Sequence, residues 1–319
     1  MGLSFCSMER LRVVVSLITQ DNDFQMEQAV AAEEAGRKLG VDVQVVFADN
    51  DSIQQSQQIL GFIQTNSQAR PDGIICEPVG GPGLPQVARA AAAAGIAWVI
   101  MNRNVEYIKE LRKNYEVPCF AVVSDHLEIG KIQGKQLAAL LPNGGSVLYI
   151  QGPAETDACK LRTAGLYDTK PETIQIKTMK GSWTEASAFK AVNSWLRLST
   201  SQQAHIDVIA AQNDAMAAGA KKAFQQFSDE EAGRERWTAV PFIGVDGVPK
   251  TGQAWVRNGT LTATVIAPPL AGTALEMLVR ALKTGTVQPE LTSLTPRSYP
   301  DLQQLAKSAV KQAHVGGGA

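Results

Sequence analysis

Polar side chains gather in this sequence where apolar runs end. Asp21, Asn22, Asp23 and Phe24 follow the first run, Glu77 the third, Asn102 and Arg103 the fourth, and Asp125 the fifth. In the second half Gln151, Trp183, Gln212, Asn213, Asp214 and Asp246 take the corresponding places. Carboxylates and amide oxygens accept hydrogen bonds, amide nitrogens donate them, and a guanidinium can hold two oxygens at once. Such a row suits a small molecule bearing many hydroxyls, with Phe24 and Trp183 able to cover an apolar ring face. Each member also has a plainer reading. An Asn or Asp after a strand caps the next helix, and a lone Trp packs a core or an interface. The set carries more weight than any member.

Signatures of catalysis are scarce. The chain has no G-x-S-x-G elbow and no G-x-x-x-x-G-K-[ST] phosphate loop. GGPGLP from Gly80 is its best glycine-rich loop. Read from Gly81, it puts Gln86 where a dinucleotide fingerprint needs its third glycine, so it reads as a turn before a helix. Asp214 and Asp246 supply two carboxylates, but nothing in the sequence sets them face to face for glycoside hydrolysis. Cys6, Cys76, Cys119 and Cys159 form no C-x-x-C pair, and Cys76 and Cys119 in their apolar runs read as small buried hydrophobes. His126, His205 and His314 are far apart, which argues against a His-rich metal site. No catalytic residue, metal or cofactor is expected.

The elements that must position this row alternate regularly. Strands are expected from Arg12, Val41, Gly73, Ala97 and Cys119, and again from Ser146, Thr173, Asp207, Pro241 and Thr262. Helices are expected from Phe24 to Gly40, from Ser52, near Leu84, from His126, around Ala158, Ala186, Ala215 and Lys250, from Leu270 to Lys283, and near Asp301. Strands apolar at successive positions suit a parallel sheet covered on both faces. Gly40 and Gly95 fit helix C-termini. In the first helix Met26, Val30 and Ala31 read as the sheet-facing side, with Glu27, Glu34 and Arg37 elsewhere. Arg103 to Pro118 reads as an irregular segment or a solvated helix, and the tail HVGGGA as loose. The pattern gives two doubly wound α/β lobes, in which ligands bind beyond the carboxyl ends of the strands.

Composition agrees. The chain has 319 residues, 45 % hydrophobic and 19 % charged, enough for two domains with real cores. Thirty Lys and Arg against 31 Asp and Glu give no global attraction for nucleic acid or an anionic membrane. Only about ten residues precede the first strand, where a helix-turn-helix domain would need roughly 50. The longest apolar stretch, Ala90 to Met101, falls short of the roughly 20 residues that span a bilayer, so no membrane insertion is expected. MGLSFCSMER has no apolar leader segment. The expectation is a cytoplasmic protein, or a periplasmic one whose leader lies outside this chain.

From about Leu11 to Ala281 the sequence resembles the type I periplasmic binding proteins of the ribose-binding group, a core shared with sugar-responsive repressors of the LacI type. VVVSLITQDNDFQ is similar to that family's first strand and ligand loop, which would place Asn22 and Phe24 in the site. VIMNRN resembles its Asp-Arg or Asn-Arg pair, here Asn102 and Arg103, and VVSDHLEIGKIQG its Ser-Asp crossover. AAQNDAMAAGAKKAF would contribute Asn213, and IGVDGVPKTGQAWVRNGTLTATV would contribute Asp246. The resemblance implies aromatics from both lobes, matched by Phe24 and Trp183, around a sugar ring in the cleft between the lobes. It further implies a three-strand hinge near Asp125, Ala267 and Leu294. The N-terminal lobe would then comprise 11–124 plus 268–294, and the C-terminal lobe 125–267 plus 295–319.

The sequence departs from the ribose pattern. Gln25 stands where a second aromatic is usual, Lys160 aligns with an arginine, Ala267 with the hinge glutamine, and Asn102 replaces the commoner Asp. Two cations are kept and a carboxylate is lost, which implies a polyhydroxy ligand other than ribose, an acidic sugar or sugar derivative among the candidates. The resemblance implies a non-enzymatic solute-binding protein that delivers this ligand to an ABC permease if exported. The alternative is a cytoplasmic sensor on the same fold that signals to a protein partner. An enzyme acting on a sugar is the weaker third reading.

Overall fold

The computed structural model describes residues 10–316, apart from 67, 81, 203, 231–236 and 238. Residues 1–9 with Cys6, Gly81 and the last three residues of the tail lie outside the described residues. The chain forms two units. One comprises the residues up to Ser124 and Pro269–Leu294, the other Asp125–Pro268 and the residues from Thr295 on. The chain passes from one to the other at 124/125, 268/269 and 294/295.

In the first unit β1 (Arg12–Leu17) lies between β2 (Asp42–Phe47) and β3 (Gly73–Cys76), followed by β4 (Ala97–Met101), β5 (Cys119–Ser124) and β11 (Leu291–Leu294), all parallel. Alternate side chains of a strand point to opposite faces, so the run at Val13–Leu17 feeds two cores. Val13, Val15 and Leu17 pack with Ala29, Ala32 and Ala35 of α1 (Asp23–Leu39) and with Leu275 and Leu278 of α11 (Leu270–Thr284). Val14 packs with Ile59 of α2 (Ser52–Gln64), Ala88 and Ala91 of α3 (Pro85–Ala93) and Leu111 of α4 (Tyr107–Asn114).

In the second unit β6 (Gly145–Gln151) lies between β7 (Ile174–Lys180) and β8 (Val208–Ala211), followed by β9 (Phe242–Asp246), β10 (Ala263–Ile266) and β12 (Arg297–Tyr299). The strands are parallel except β12, which pairs antiparallel with β10. Leu148 and Ile150 pack with Val192 of α7 (Glu185–Leu196) and Phe224 of α9 (Asp214–Glu230). Val147 and Tyr149 pack with Leu137 of α5 (His126–Leu140), Leu166 of α6 (Asp157–Thr169) and Leu305 of α12 (Leu302–Gly316). No helix among the described residues is long and apolar enough to cross a membrane.

The structure changes or completes the sequence expectations at four places. The segment after Arg103 takes the helical alternative as α4, with Lys109, Glu110 and Lys113 exposed and Tyr107, Ile108 and Leu111 buried. The proline-interrupted stretch after α11 holds β11 and β12, one edge strand for each sheet. The last helix continues to Gly316, into the tail expected to be loose. On α1 the buried face is Gln25, Gln28, Ala29, Ala32, Ala35 and Gly36, while Met26 and Val30 are exposed. The reason is hydrogen bonding: Gln28 Oε1 accepts from the free backbone N–H groups of Leu270 and Ala271 at the start of α11. Gln25 is used at the end of β1, as described below.

Candidate functional site

Each sheet has a topological switch point. In the first unit successive connections leave β1 toward β2 on one side and reach β3 on the other; in the second the same happens between β6 and β8. A crevice opens at the carboxyl ends of such strands. Both switch points hold a polar cluster.

In the first unit the chain leaves β1 and enters α1 through Asn22, whose Oδ1 accepts from the N–H groups of Phe24 (2.9 Å) and Gln25 (3.3 Å). The capping role weighed for Asn22 is therefore real, and it commits the oxygen while leaving the amide nitrogen uncommitted to the cap. Gln25 Oε1 accepts from Ile18 N–H at 3.0 Å, and its Nε2 donates to Glu77 Oε2 at 2.9 Å. Glu77 ends β3 and is buried. Its other oxygen accepts from Asn102 Nδ2 at 3.0 Å. Asn102 follows β4 with φ at 57°, the left-handed region that Asn tolerates better than most residues. Burial pushes the Glu77 carboxyl above its ordinary range, while Asn102, Gln25 and the Arg103 cation pull it back. Asn102 Oδ1 is buried and finds no partner among the described residues. Phe24 and Arg103 are half-buried beside this cluster.

In the second unit Arg162 of α6 is the centre. It is 5 % exposed. Its Nη1 donates to the Gln212 carbonyl, its Nη2 lies 3.8 Å from Asp246 Oδ1, and its guanidinium carbon lies 5.6 Å from the centroid of the Trp183 ring. Burial weakens its hold on the proton, and Asp246 strengthens it. Gln212, which follows β8, ties the floor together: its Oε1 accepts from Gly152 N–H, and its Nε2 reaches Tyr149 Oη, the Cys159 carbonyl and Thr163 Oγ1. Asn213 Nδ2 donates to the Trp183 carbonyl and its Oδ1 caps α9 at Met216 N–H, so both ends serve the unit itself. Trp183 and Asp246 take positive φ, 64° and 105°, where non-glycine residues are strained. Asp214 is buried and accepts from Gly247 N–H (2.8 Å) and Thr264 Oγ1 (2.7 Å). Burial and the neighbouring Asp246 push its carboxyl well above the ordinary range.

Of the residues read from the sequence, Asn22, Phe24, Asn102 and Arg103 lie at the first switch point, and Trp183, Asn213 and Asp246 at the second. Lys160 does not join its cluster: it is exposed on α6. Arg162, two residues later, is the buried cation of this helix. Helical spacing held the signal, because Cys159, Arg162 and Leu166 fall on the buried face and Lys160 on the other. The Gln25–Glu77 pair was missed as a pair, since its members are 52 residues apart. No group of three or more His, Cys, Asp or Glu that could hold a metal occurs among the described residues.

A family model described as periplasmic binding protein domain matches residues 13–286. Over 193 residues the chain is 30 % identical to a putative rhizopine-binding protein of Rhizobium meliloti, a match spanning 58 % of each chain. It is 26 % identical to the D-allose-binding periplasmic protein of Escherichia coli over 293 residues, 90 % of this chain and 89 % of that one. Among solved structures, a periplasmic solute-binding protein of Actinobacillus succinogenes with bound D-allose superposes with a TM-score of 0.77 at 20 % identity. It covers 93 % of this chain and 100 % of that one, a likeness of fold.

Proposed function

The chain belongs to the periplasmic binding protein family, whose members are solute-binding proteins, and on that premise we propose that it binds a neutral polyhydroxy ligand of the sugar or cyclitol class for an ABC importer. Arg162 carries this reading: a buried guanidinium over the Trp183 ring, paired with Asp246 and placed at a switch point. A guanidinium held in this way presents fixed donors to hydroxyl oxygens while the indole covers C–H faces. Asn22, Phe24, Asn102 and Arg103 at the first unit's own switch point supply the same kinds of group, an aromatic ring, amides and a guanidinium.

The charges argue for a neutral ligand over an acidic one. The sequence counted two cations and a lost carboxylate. In the structure Lys160 is exposed, and each remaining cation has a carboxylate in its own cluster, Glu77 with Arg103 and Asp246 with Arg162. An anionic ligand would meet both carboxylates as well as both arginines.

A binding role without catalysis also fits Asp214, whose two oxygens are occupied by Gly247 and Thr264. Export to the periplasm and delivery to a permease complete the proposal, as the names of the relatives suggest. A thermal-shift and calorimetric panel of pentoses, hexoses, polyols and sugar acids tests it. Binding of an uncharged polyol, weakened in Arg103→Ala and Arg162→Lys, supports the reading. Silence across the panel, or binding of sugar acids alone, overturns it.

A further inference from the structure

His126 opens α5, immediately after the chain enters the second unit. It is 5 % exposed, yet neither ring nitrogen has a hydrogen-bond partner among the described residues. The same is true of Arg162 Nε. Such groups are costly, because a buried polar atom left unmatched has given up its bonds to water without replacing them. Three of them fall on two helices that are locked together. Gly130, one turn after His126, lies against the backbone of Arg162, and Gly165 of α6 lies against the carbonyl of Leu127. The Arg162 cation acts electrostatically on the His126 ring. Gln212, Asp246 and Trp183 face the other parts of the Arg162 guanidinium, which leaves Nε and the imidazole as the unmatched groups of this corner.

We infer that His126 is a specificity-determining residue of the ligand site, forming with Arg162 Nε a subsite for one hydroxyl group of the ligand. The inference rests on the polyol-binding reading above and adds to it a residue that the row of strand ends did not contain. Chemistry selects the hydroxyl. Arg162 Nε–H can only donate, and a neutral imidazole presents one accepting and one donating nitrogen. A hydroxyl accepts from Nε–H and gives its own hydrogen to the ring. An ammonium group can give but not accept, and would meet the Arg162 charge. Burial and Arg162 push the imidazole down to about 3, which keeps the ring uncharged at neutral pH and spares the corner a second cation.

The test is calorimetry with D-ribose, D-allose, L-arabinose and myo-inositol, then with each monodeoxy derivative of the tightest binder. Wild type is expected to reject one derivative by roughly 10- to 100-fold relative to its parent. His126→Ala is expected to weaken the parent about tenfold and to reduce that discrimination by a similar factor, since the hydroxyl then keeps only its bond from Arg162 Nε. His126→Asn, which keeps a donor and an acceptor, is expected to recover part of it. Parent affinity unchanged in His126→Ala, or an equal loss for the parent and every derivative, overturns the subsite and leaves polyol binding standing. If wild type binds none of these four compounds nor any uncharged member of the wider panel above, the proposed function falls and the subsite with it. Nitrogen-15 spectra of the wild-type ring need no variant: the tightest binder is expected to shift the His126 nitrogens, and unmoved resonances at saturation overturn the proposal even where the variants fail to fold.

Discussion

Gly130 packs so closely on Arg162 that a β-carbon at Gly130 would overlap the Arg162 carbonyl oxygen. The contact is reciprocal, with Gly165 against the Leu127 carbonyl, and it fixes the rotation and depth of α6 beneath the second switch point. The atom met is backbone, so no side chain can swing aside. Gly130→Ala is expected to cost about 1–3 kcal/mol through overpacking, read from urea melts, and to weaken polyol binding because Arg162 moves with its helix. Wild-type affinity in a variant destabilised by that amount would show that α6 can shift without carrying Arg162 away.

Arg162 makes three different contacts with one side chain: a hydrogen bond to the Gln212 carbonyl, the approach to Asp246 and a cation–π contact over the Trp183 ring. A lysine ammonium is a point charge without the planar fork and cannot make all three. Arg162→Lys is expected to bind the ligand at least about tenfold more weakly with a modest loss of stability, roughly 1 kcal/mol or more per lost charged hydrogen bond. Asp246→Asn leaves Arg162 short of its counter-charge, and a double-mutant cycle between the two should give a coupling above about 0.5 kcal/mol, as for residues in one network. Additive effects would mean that the 3.8 Å approach contributes nothing.

The two sheets were legible because their central strands are apolar at successive positions, as at Val13–Leu17 and Val147–Ile150. β11 and β12 were not, because each is a short edge strand with half-exposed side chains, held by backbone pairing that leaves no apolar run. The charges of α4 allowed a solvated helix, but its buried residues Tyr107, Ile108 and Leu111 are too few to mark it as one against an irregular segment. Site residues that follow strands were legible because topology puts strand ends together whatever their separation in sequence. Arg162 sits in mid-helix, where only the spacing from Cys159 to Leu166 betrays it. Gln25 looked like a missing aromatic, and its role appears only when Glu77 is brought to it.

The Glu77 carboxyl has two amide donors, from Gln25 and Asn102, and burial raises its affinity for a proton. A carboxyl whose folded affinity lies above its unfolded value stabilises the fold below the ordinary carboxylate range and loses that contribution as pH rises through its folded pKa. Stability from this group therefore falls on going from acid toward neutral pH. In Glu77→Gln that dependence disappears. The new amide can be accommodated: Gln25 is held by Ile18 N–H and cannot turn over, but Asn102 Oδ1 is unmatched and can rotate to accept from it. Urea melts over a series of pH values should give a wild-type-minus-variant stability that declines as pH rises. A difference independent of pH would mean that Glu77 keeps its ordinary affinity in the fold.

His126 works in the opposite direction. Its folded pKa is pushed down to about 3 from an ordinary value of 6.5. Between these values the unfolded chain takes up a proton that the folded chain refuses. Stability from this group is therefore present above pH 6.5 and is lost as pH falls, at about 1.4 kcal/mol per pH unit while the difference in protonation is complete. Glu77 and Asp214, both raised, partly offset this in the wild type because they favour the fold on acidification. Subtracting a His126→Gln variant removes their contribution, since both proteins share it. The wild-type-minus-variant stability should then fall steadily below pH 6.5 and level off near pH 3, and a flat difference would show that the imidazole accepts its proton in the fold as readily as in the unfolded chain.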